Sequence, residues 1–495
     1  MSILYESTRD KSLKVQASEA ILQGLSKDGG LFVPTEIPKL DKSLKELGTM
    51  SYQDIAYNVM KLYFTDFTEE ELRYCIDHAY DSKFDCKEIA PLKETQDTYF
   101  MELYHGKTIA FKDMALSILP YLMTTSAKKN NVKNEIVILT ATSGDTGKAA
   151  LAGFSDVPGT KIIVFYPKDG VSEIQKLQMV TEQGKNTFVV GINGNFDQAQ
   201  TGVKEMFNDK KLAEELDEKG YQFSSANSIN IGRLIPQVAY YVYAYASLLN
   251  KGVLKDGEEI NFTVPTGNFG NILAAYFAKE MGVPVHKLIC ASNENKVLFD
   301  FFSTGEYDKN RDFKLTSSPS MDILISSNLE RLIYLICNRD DKKTCALMEN
   351  LKTGGKYEIT ADMKKGLDAF YGNYATEAET AEAIRSKYDA EGYVMDTHTA
   401  VAYDVYTKYL TDTDDDMVNV IASTASPYKF TRSVLAALGK DDSSKSDLEL
   451  VPVLNEVSGM PVPGAVKEIM ELPVRHNTVC EVDKMEETVK GFLGV

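Results

Sequence analysis

From Thr98 onward the chain repeats one pattern: a short apolar run, a glycine-rich or polar turn, and then a stretch with helical spacing. Ile136–Leu139 leads into such a turn, Lys161–Tyr166 and Thr187–Ile192 each precede a helical stretch, and Phe262–Val264 runs into Gly267-Asn268-Phe269-Gly270-Asn271. Strand, turn and helix in alternation predict βαβ units, because parallel strands need a long crossover and a helix is the usual one. The expected class is α/β with mostly parallel sheets. The opening reads differently, with apolar residues at helical spacing around Ala17–Leu25 and Tyr52–Tyr63 and a turn at Asp28–Pro34 between them. We therefore expect a mainly helical N-terminal unit over 1–95, an α/β region over 96–250 and a second over 251–495. The polar segment Lys251–Glu259 is the expected joint between the two α/β regions, and the acidic, Ser-rich Asp441–Asp447 an expected surface loop.

A chain of 495 residues, 43% hydrophobic and 25% charged, has room for more than one core. Its formal charge of −18 repels nucleic acid and anionic lipid, so neither is expected as a partner. An anionic small molecule would need a local cluster of cations. Charges at Glu6, Arg9, Asp10, Lys11 and Lys14 interrupt the opening, and no apolar run reaches membrane-spanning length. The six cysteines contain no CxxC pair, so free thiols and a cytoplasmic location are expected. The five histidines lie far apart without an HExxH pair, so no metal centre is expected.

Three segments carry chemistry. In His105-Gly106-Lys107-Thr108-Ile109-Ala110-Phe111-Lys112-Asp113-Met114-Ala115 a loop enters a helix, and a lysine set among aromatic and small residues is open to desolvation. Desolvation lowers the amine's pKa and frees it to form a Schiff base, although an isolated lysine is far more often a solvated surface residue. Thr142-Ser143-Gly144-Asp145-Thr146-Gly147-Lys148 follows the run Ile136–Leu139. Its amides and hydroxyls at a helix start suit a carboxylate or phosphate, with a merely capped strand-to-helix turn as the lesser alternative. It is not a Walker A loop, which needs glycine where Thr142 stands and Ser or Thr where Ala149 stands. Gly267–Asn271 is a third strand–turn–helix junction, suited to a phosphate monoester. Two anion cradles and one candidate amine together point to a phosphate-bearing cofactor and an anionic substrate.

At these residues the chain resembles the threonine synthase family, within the fold type II (tryptophan-synthase-β-like) group of pyridoxal-phosphate enzymes. The resemblance extends through Tyr5–Arg9, Asp28–Pro34, Ser318-Pro319-Ser320-Met321-Asp322, Ser327–Arg331, Asp396–Ala400 and Ser423–Phe430, and its length and N-terminal unit match the long class of bacteria and fungi. It implies two parallel-type α/β domains, pyridoxal 5'-phosphate as cofactor and Lys112 as the Schiff-base lysine. It further implies that Gly267, Asn268, Phe269, Gly270 and Asn271 hold the cofactor phosphate, and that Thr424 lies beside the pyridine nitrogen. Thr142, Ser143, Asp145 and Thr146 are implied as the loop facing the substrate carboxylate, with Asp145 also near the cofactor's phenolic oxygen. Asn227, Ser228 and Arg233 are implied as a clamp for the substrate phosphate, with Lys176 a second cation. Without the resemblance Arg233 reads as a solvated helix arginine. Lys107 stands where the family usually has proline, and Ser426 where it usually has histidine.

The implied activity converts O-phospho-L-homoserine and water to L-threonine and phosphate, by γ-elimination and addition of water at Cβ, in a monomer. The rivals are a serine or threonine dehydratase or β-replacement enzyme of the same fold, a cofactor-binding relative that makes no threonine, and a nucleotide-binding phosphotransferase. The failed Walker match argues against the last.

Overall fold

The computed structural model describes residues 2–142, 144–169 and 171–495. Two parallel sheets dominate. One has five parallel strands in the order Thr478–Cys480, Thr187–Ile192, Thr160–Pro167, Glu135–Ala141 and Tyr221–Ser224. The other has six, in the order Phe370–Tyr374, Val285–Ser292, Ile260–Pro265, Asn419–Ser423, Tyr99–Glu102 and Leu92–Glu94, all parallel except the last pair. Helices cover both, which is why the inner strands read as unbroken apolar runs: Ile260–Pro265 is buried at every residue. The class is α/β of fold type II.

Sheet membership crosses the boundaries expected at 96 and 251. Tyr99–Glu102 pairs with Asn419–Ser423, more than 300 residues later in the chain, and Thr478–Cys480 returns to the edge of the five-stranded sheet. Lys251–Glu259 runs between the helix Ile231–Asn250 and the strand Ile260–Pro265, and that helix already packs on the helices Tyr52–Tyr63 and Gly270–Met281. That helix is buried on nearly all sides, as its apolar sequence requires. Among the described residues no helix is long and apolar enough to cross a membrane, and the six cysteines are free.

Residues 2–95 add the helices Ala17–Gln23, Tyr52–Tyr63 and Glu69–Ala79 to a small antiparallel sheet of Tyr5–Ser7, Lys14–Val15 and Phe32–Pro34. Ion pairs fasten this sheet to the helix Leu329–Ile336. Arg9 reaches Glu330 with Nε at 2.9 Å and Nη2 at 2.8 Å, Thr8 Oγ1 donates to the same carboxylate at 2.6 Å, and Arg339 pairs with Glu6 at 2.8 Å. Arg331, fully buried, donates from Nε to Phe32 O at 2.9 Å and from its other nitrogens to Ile229 O and Asn328 Oδ1. Asn328 precedes the helix and donates to Asn268 O, so the N-terminal unit braces a loop of the site.

Candidate active site

Parallel strands deliver their following loops to one edge of a sheet. Three of the segments singled out in the sequence leave the six-stranded sheet this way. They follow Tyr99–Glu102 (the lysine loop), Ile260–Pro265 (Gly267–Asn271) and Asn419–Ser423 (Thr424). The Thr142–Lys148 loop follows Glu135–Ala141 of the other sheet.

The lysine loop is built around Asp113, whose buried carboxylate accepts from Thr108 N at 2.7 Å and Thr108 Oγ1 at 2.6 Å. The amide of Phe111 donates to Thr424 O at 2.8 Å, and Ala110 pairs with Ala425 in an isolated bridge, so Lys112 and Thr424 are held together. Lys112 keeps 11% of its side chain exposed; its Nζ donates to Ser320 Oγ at 3.0 Å and lies 3.7 Å from Asp145 Oδ2. Burial, with Lys429 and Arg233 nearby, pulls the amine down to about 8 against the opposing pull of Asp145.

Asp145 opens the helix Asp145–Phe154. Its Oδ1 takes Lys429 Nζ at 3.0 Å and Gln175 Nε2 at 2.9 Å, and its Oδ2 accepts from Ser320 Oγ at 2.8 Å. Burial alone would raise this carboxyl; Lys429, Lys112 and Lys148 reverse that and hold it well below the ordinary carboxylate range. Thr142 shapes the turn before it. Its hydroxyl accepts from the amides of Gly144 and Gly147, each at 3.0 Å, and a Cβ on Gly147 would come within 2.5 Å of Thr142 Cβ. Thr146 is half-buried on the first helical turn, and Ser143 lies outside the described residues.

In Gly267–Asn271, Phe269 adopts a left-handed φ of 65°, a strain met by its ring packing on Phe302 and Phe370. Ser326 Oγ donates to Gly267 O at 2.7 Å, and Asn328 donates twice to Asn268 O. A Cβ at Gly267 would stand 2.6 Å from the backbone oxygen of Ser320, so only glycine fits. The helix Gly270–Met281 starts here, and Asn271 accepts at Oδ1 from Tyr240 and Tyr241 while its buried Nδ2 has no partner among the described residues.

Arg233 is not a solvated arginine. It is 4% exposed and donates from Nη1 to Ala226 O at 2.9 Å; among the described residues it has no carboxylate partner and its buried Nε has no acceptor. Burial pulls it down to about 10. Ser228 is half-buried and Asn227 exposed; Asn227 Oδ1 accepts from Ser228 Oγ and Ile229 N, each at 3.3 Å. Lys176 is half-buried on the helix Glu173–Val180, but it is Gln175 that reaches Asp145.

Residue patterns alone did not mark out several members of this cluster. Lys429 is fully buried between Asp145 and Thr108 O, and Lys148, also buried, donates to Gln178. His398 accepts at Nε2 from Ser320 N at 3.2 Å, which fixes it as the tautomer that donates from Nδ1 to Asp396 at 2.8 Å. Lys429, Lys148, His398, Asp396 and Ser320 fall inside the segments that carried the resemblance, the one signal available for them, whereas Gln175 and Gln178 do not. Ser426, at the histidine position, accepts from Tyr428 N at 3.3 Å and starts the turn Pro427–Phe430 that carries Lys429.

Residues 4–80 match the family described as threonine synthase N terminus, 85–423 that of pyridoxal-phosphate dependent enzymes, and 399–492 that of the threonine synthase C-terminal region. The threonine synthase of Saccharomyces cerevisiae is 35% identical over 482 residues, covering 91% of this chain and 92% of that one. This chain belongs to the threonine synthase family of pyridoxal-phosphate enzymes. The crystal structure of the PLP-bound threonine synthase from Brucella melitensis superposes with a TM-score of 0.88 at 32% identity, over 99% of each chain. The human protein named threonine synthase-like 1 is 39% identical over 459 residues, which are 90% of this chain but 61% of that protein.

The residues present fit the family's cofactor. They offer a depressed amine at Lys112 that keeps some exposure where Lys148 is fully buried, a glycine-shaped helix start at Gly267–Asn271 and a buried amide donor on Asn271 that lacks an acceptor among the described residues.

Proposed function

We propose that this threonine synthase family member is itself a threonine synthase, converting O-phospho-L-homoserine and water to L-threonine and inorganic phosphate. The observation that carries this reading is Arg233: among the described residues a buried cation with no carboxylate and an unused Nε–H, close enough to Lys112 for its charge to depress that amine. A dehydratase or β-replacement substrate brings no γ-phosphate to satisfy it.

In this reading Lys112 would hold pyridoxal phosphate, and Gly267, Asn268, Phe269, Gly270 and Asn271 would bind its phosphate. The cofactor supplies an electron sink beside the amino carbon. Lys112, with a pKa of about 8, is poised as the base that takes protons from Cα and Cβ and returns one to Cγ. Arg233, Asn227 and Ser228 bind the substrate phosphate until it leaves, with Lys176 as a further cation. Ser143, Thr146 and the turn shaped by Thr142 receive the substrate carboxylate. Asp145, ionised and already saturated by donors, would repel that carboxylate and instead serves the lysine and the ring oxygen side. Thr424 offers a neutral hydroxyl at the pyridine nitrogen. The protein acts as a monomer in the cytoplasm.

Similarity to proteins named threonine synthase-like favours a second reading, a pyridoxal-phosphate protein that keeps the cofactor residues and makes no threonine. Incubation with O-phospho-L-homoserine, assaying threonine and phosphate together, decides between them. Equimolar threonine and phosphate support the first; neither product, with cofactor bound, supports the second.

A further inference from the structure

The turn Pro319–Met321 sits between the lysine and both glycine-rich loops, and it is held from several directions. Thr397 Oγ1 donates to Ser317 O at 2.7 Å, Asn293 Nδ2 donates to Ser318 Oγ at 3.0 Å, and Ser320 N donates to His398 Nε2 at 3.2 Å. The carbonyl of Ser320 fills the space left by the missing Cβ of Gly267. This bracing fixes the Ser320 hydroxyl within 3.0 Å of Lys112 Nζ and 2.8 Å of Asp145 Oδ2. An ionised carboxylate only accepts, so the one hydroxyl proton is committed to Asp145 and Ser320 meets Lys112 solely as an acceptor.

We propose that Ser320 is a further catalytic residue, whose hydroxyl engages one N–H of the free Lys112 amine and thereby fixes where the nitrogen's lone pair points. This rests on the reading of Lys112 as the cofactor-bearing lysine. No proton passes between Ser320 and Asp145, because Asp145 is held far too acidic to retain one beside an amine near 8. The hydroxyl aims the amine; Asp145 aims the hydroxyl. The His398–Asp396 pair positions the backbone from which that hydroxyl projects.

The test compares the full chain with Ser320→Ala and Ser320→Thr variants. One readout is the rate at which cofactor-free protein captures pyridoxal phosphate, followed in the visible; the others are kcat and KM for O-phospho-L-homoserine. Ser320→Ala is expected to slow capture and lower kcat by about 10-fold or more, with KM and the cofactor dissociation constant nearly unchanged. Ser320→Thr, which keeps the hydroxyl, should restore both rates. Capture and turnover at wild-type rates in Ser320→Ala overturn the inference. So does a Ser320→Thr protein as slow as Ser320→Ala at unchanged cofactor affinity. A Lys112→Ala protein that still captures cofactor covalently removes the underlying reading, and the inference with it; if Lys112→Ala captures none, the Ser320 result stands alone.

Discussion

Replacing Arg233 with methionine should separate ligand binding from stability. That guanidinium is buried without a counter-charge, and its depression to about 10 corresponds to roughly 3 kcal/mol of desolvation. Methionine removes that penalty and leaves one carbonyl, Ala226 O, without its donor at 2.9 Å, a loss of about 1 kcal/mol. The cofactor-free variant should therefore be at least as stable as wild type, by thermal or urea unfolding followed by circular dichroism. Phosphate recognition should move the other way. Each charge-assisted hydrogen bond is worth about 1.5–3 kcal/mol, so kcat/KM for O-phospho-L-homoserine should fall by on the order of 10² or more. Inorganic phosphate should raise the melting temperature of wild type more than that of the variant. Binding of homoserine, which lacks the phosphate, should change little, and the cofactor's visible band should stay. If Arg233→Met strips the cofactor, or weakens phosphohomoserine and homoserine equally, the assignment of Arg233 to the substrate phosphate is wrong.

Lys112→Ala should abolish the covalent visible band of the cofactor while leaving the far-ultraviolet circular dichroism intact, a loss read by absorbance in the visible, where no protein side chain absorbs. Gly267→Val places a branched side chain where even a Cβ lies 2.6 Å from Ser320 O, and the cofactor dissociation constant should rise by about 10-fold or more. His105 offers a pH test, since Asp85 at 2.6 Å and Glu102 at 3.2 Å outweigh the opposing effect of burial and push it up to about 9. Its folded pKa lies above the unfolded value near 6.5, so its contribution is full below about pH 6.5 and is lost as pH rises through about 9. With Asp85 half exposed, that contribution is on the order of 1–2 kcal/mol, and unfolding curves of wild type and His105→Asn should converge above pH 9.

Parallel strands are legible in a sequence when both faces are covered, because the pattern collapses to a bare apolar run. Thr187–Ile192 falls at the residues expected, and Ile136–Leu139 lies inside the strand Glu135–Ala141. The edge strand Thr478–Cys480 was not legible: it is three residues long, largely exposed, and owes its existence to Thr187–Ile192 beside it. The pairing of Tyr99–Glu102 with Asn419–Ser423 was hidden for the same reason, since nothing local to either run encodes a partner so far away.

The site divides along the same line. Glycine-rich turns announce themselves by composition: Gly147 is demanded by Thr142 of its own loop, whereas the demand on Gly267 comes from the distant Ser320 backbone and only the glycine itself is legible. Buried lysines announce nothing. Lys148 and Lys429 read as ordinary helix and loop cations, yet both are dry, and each owes its place to a carboxylate or carbonyl from another segment. Convergence of charge is what gives the cluster its chemistry. Lys112 and Lys429 reach the ionised Asp145 and Arg233 lies near Lys112, while burial pushes the Asp113 carboxyl up and the Lys148 amine well down, so basic side chains outnumber ionised carboxylates in the cluster. Among the described residues Asn271 Nδ2 and Arg233 Nε are buried donors without an acceptor, and an anion brought there would meet both a basic surround and unused N–H groups.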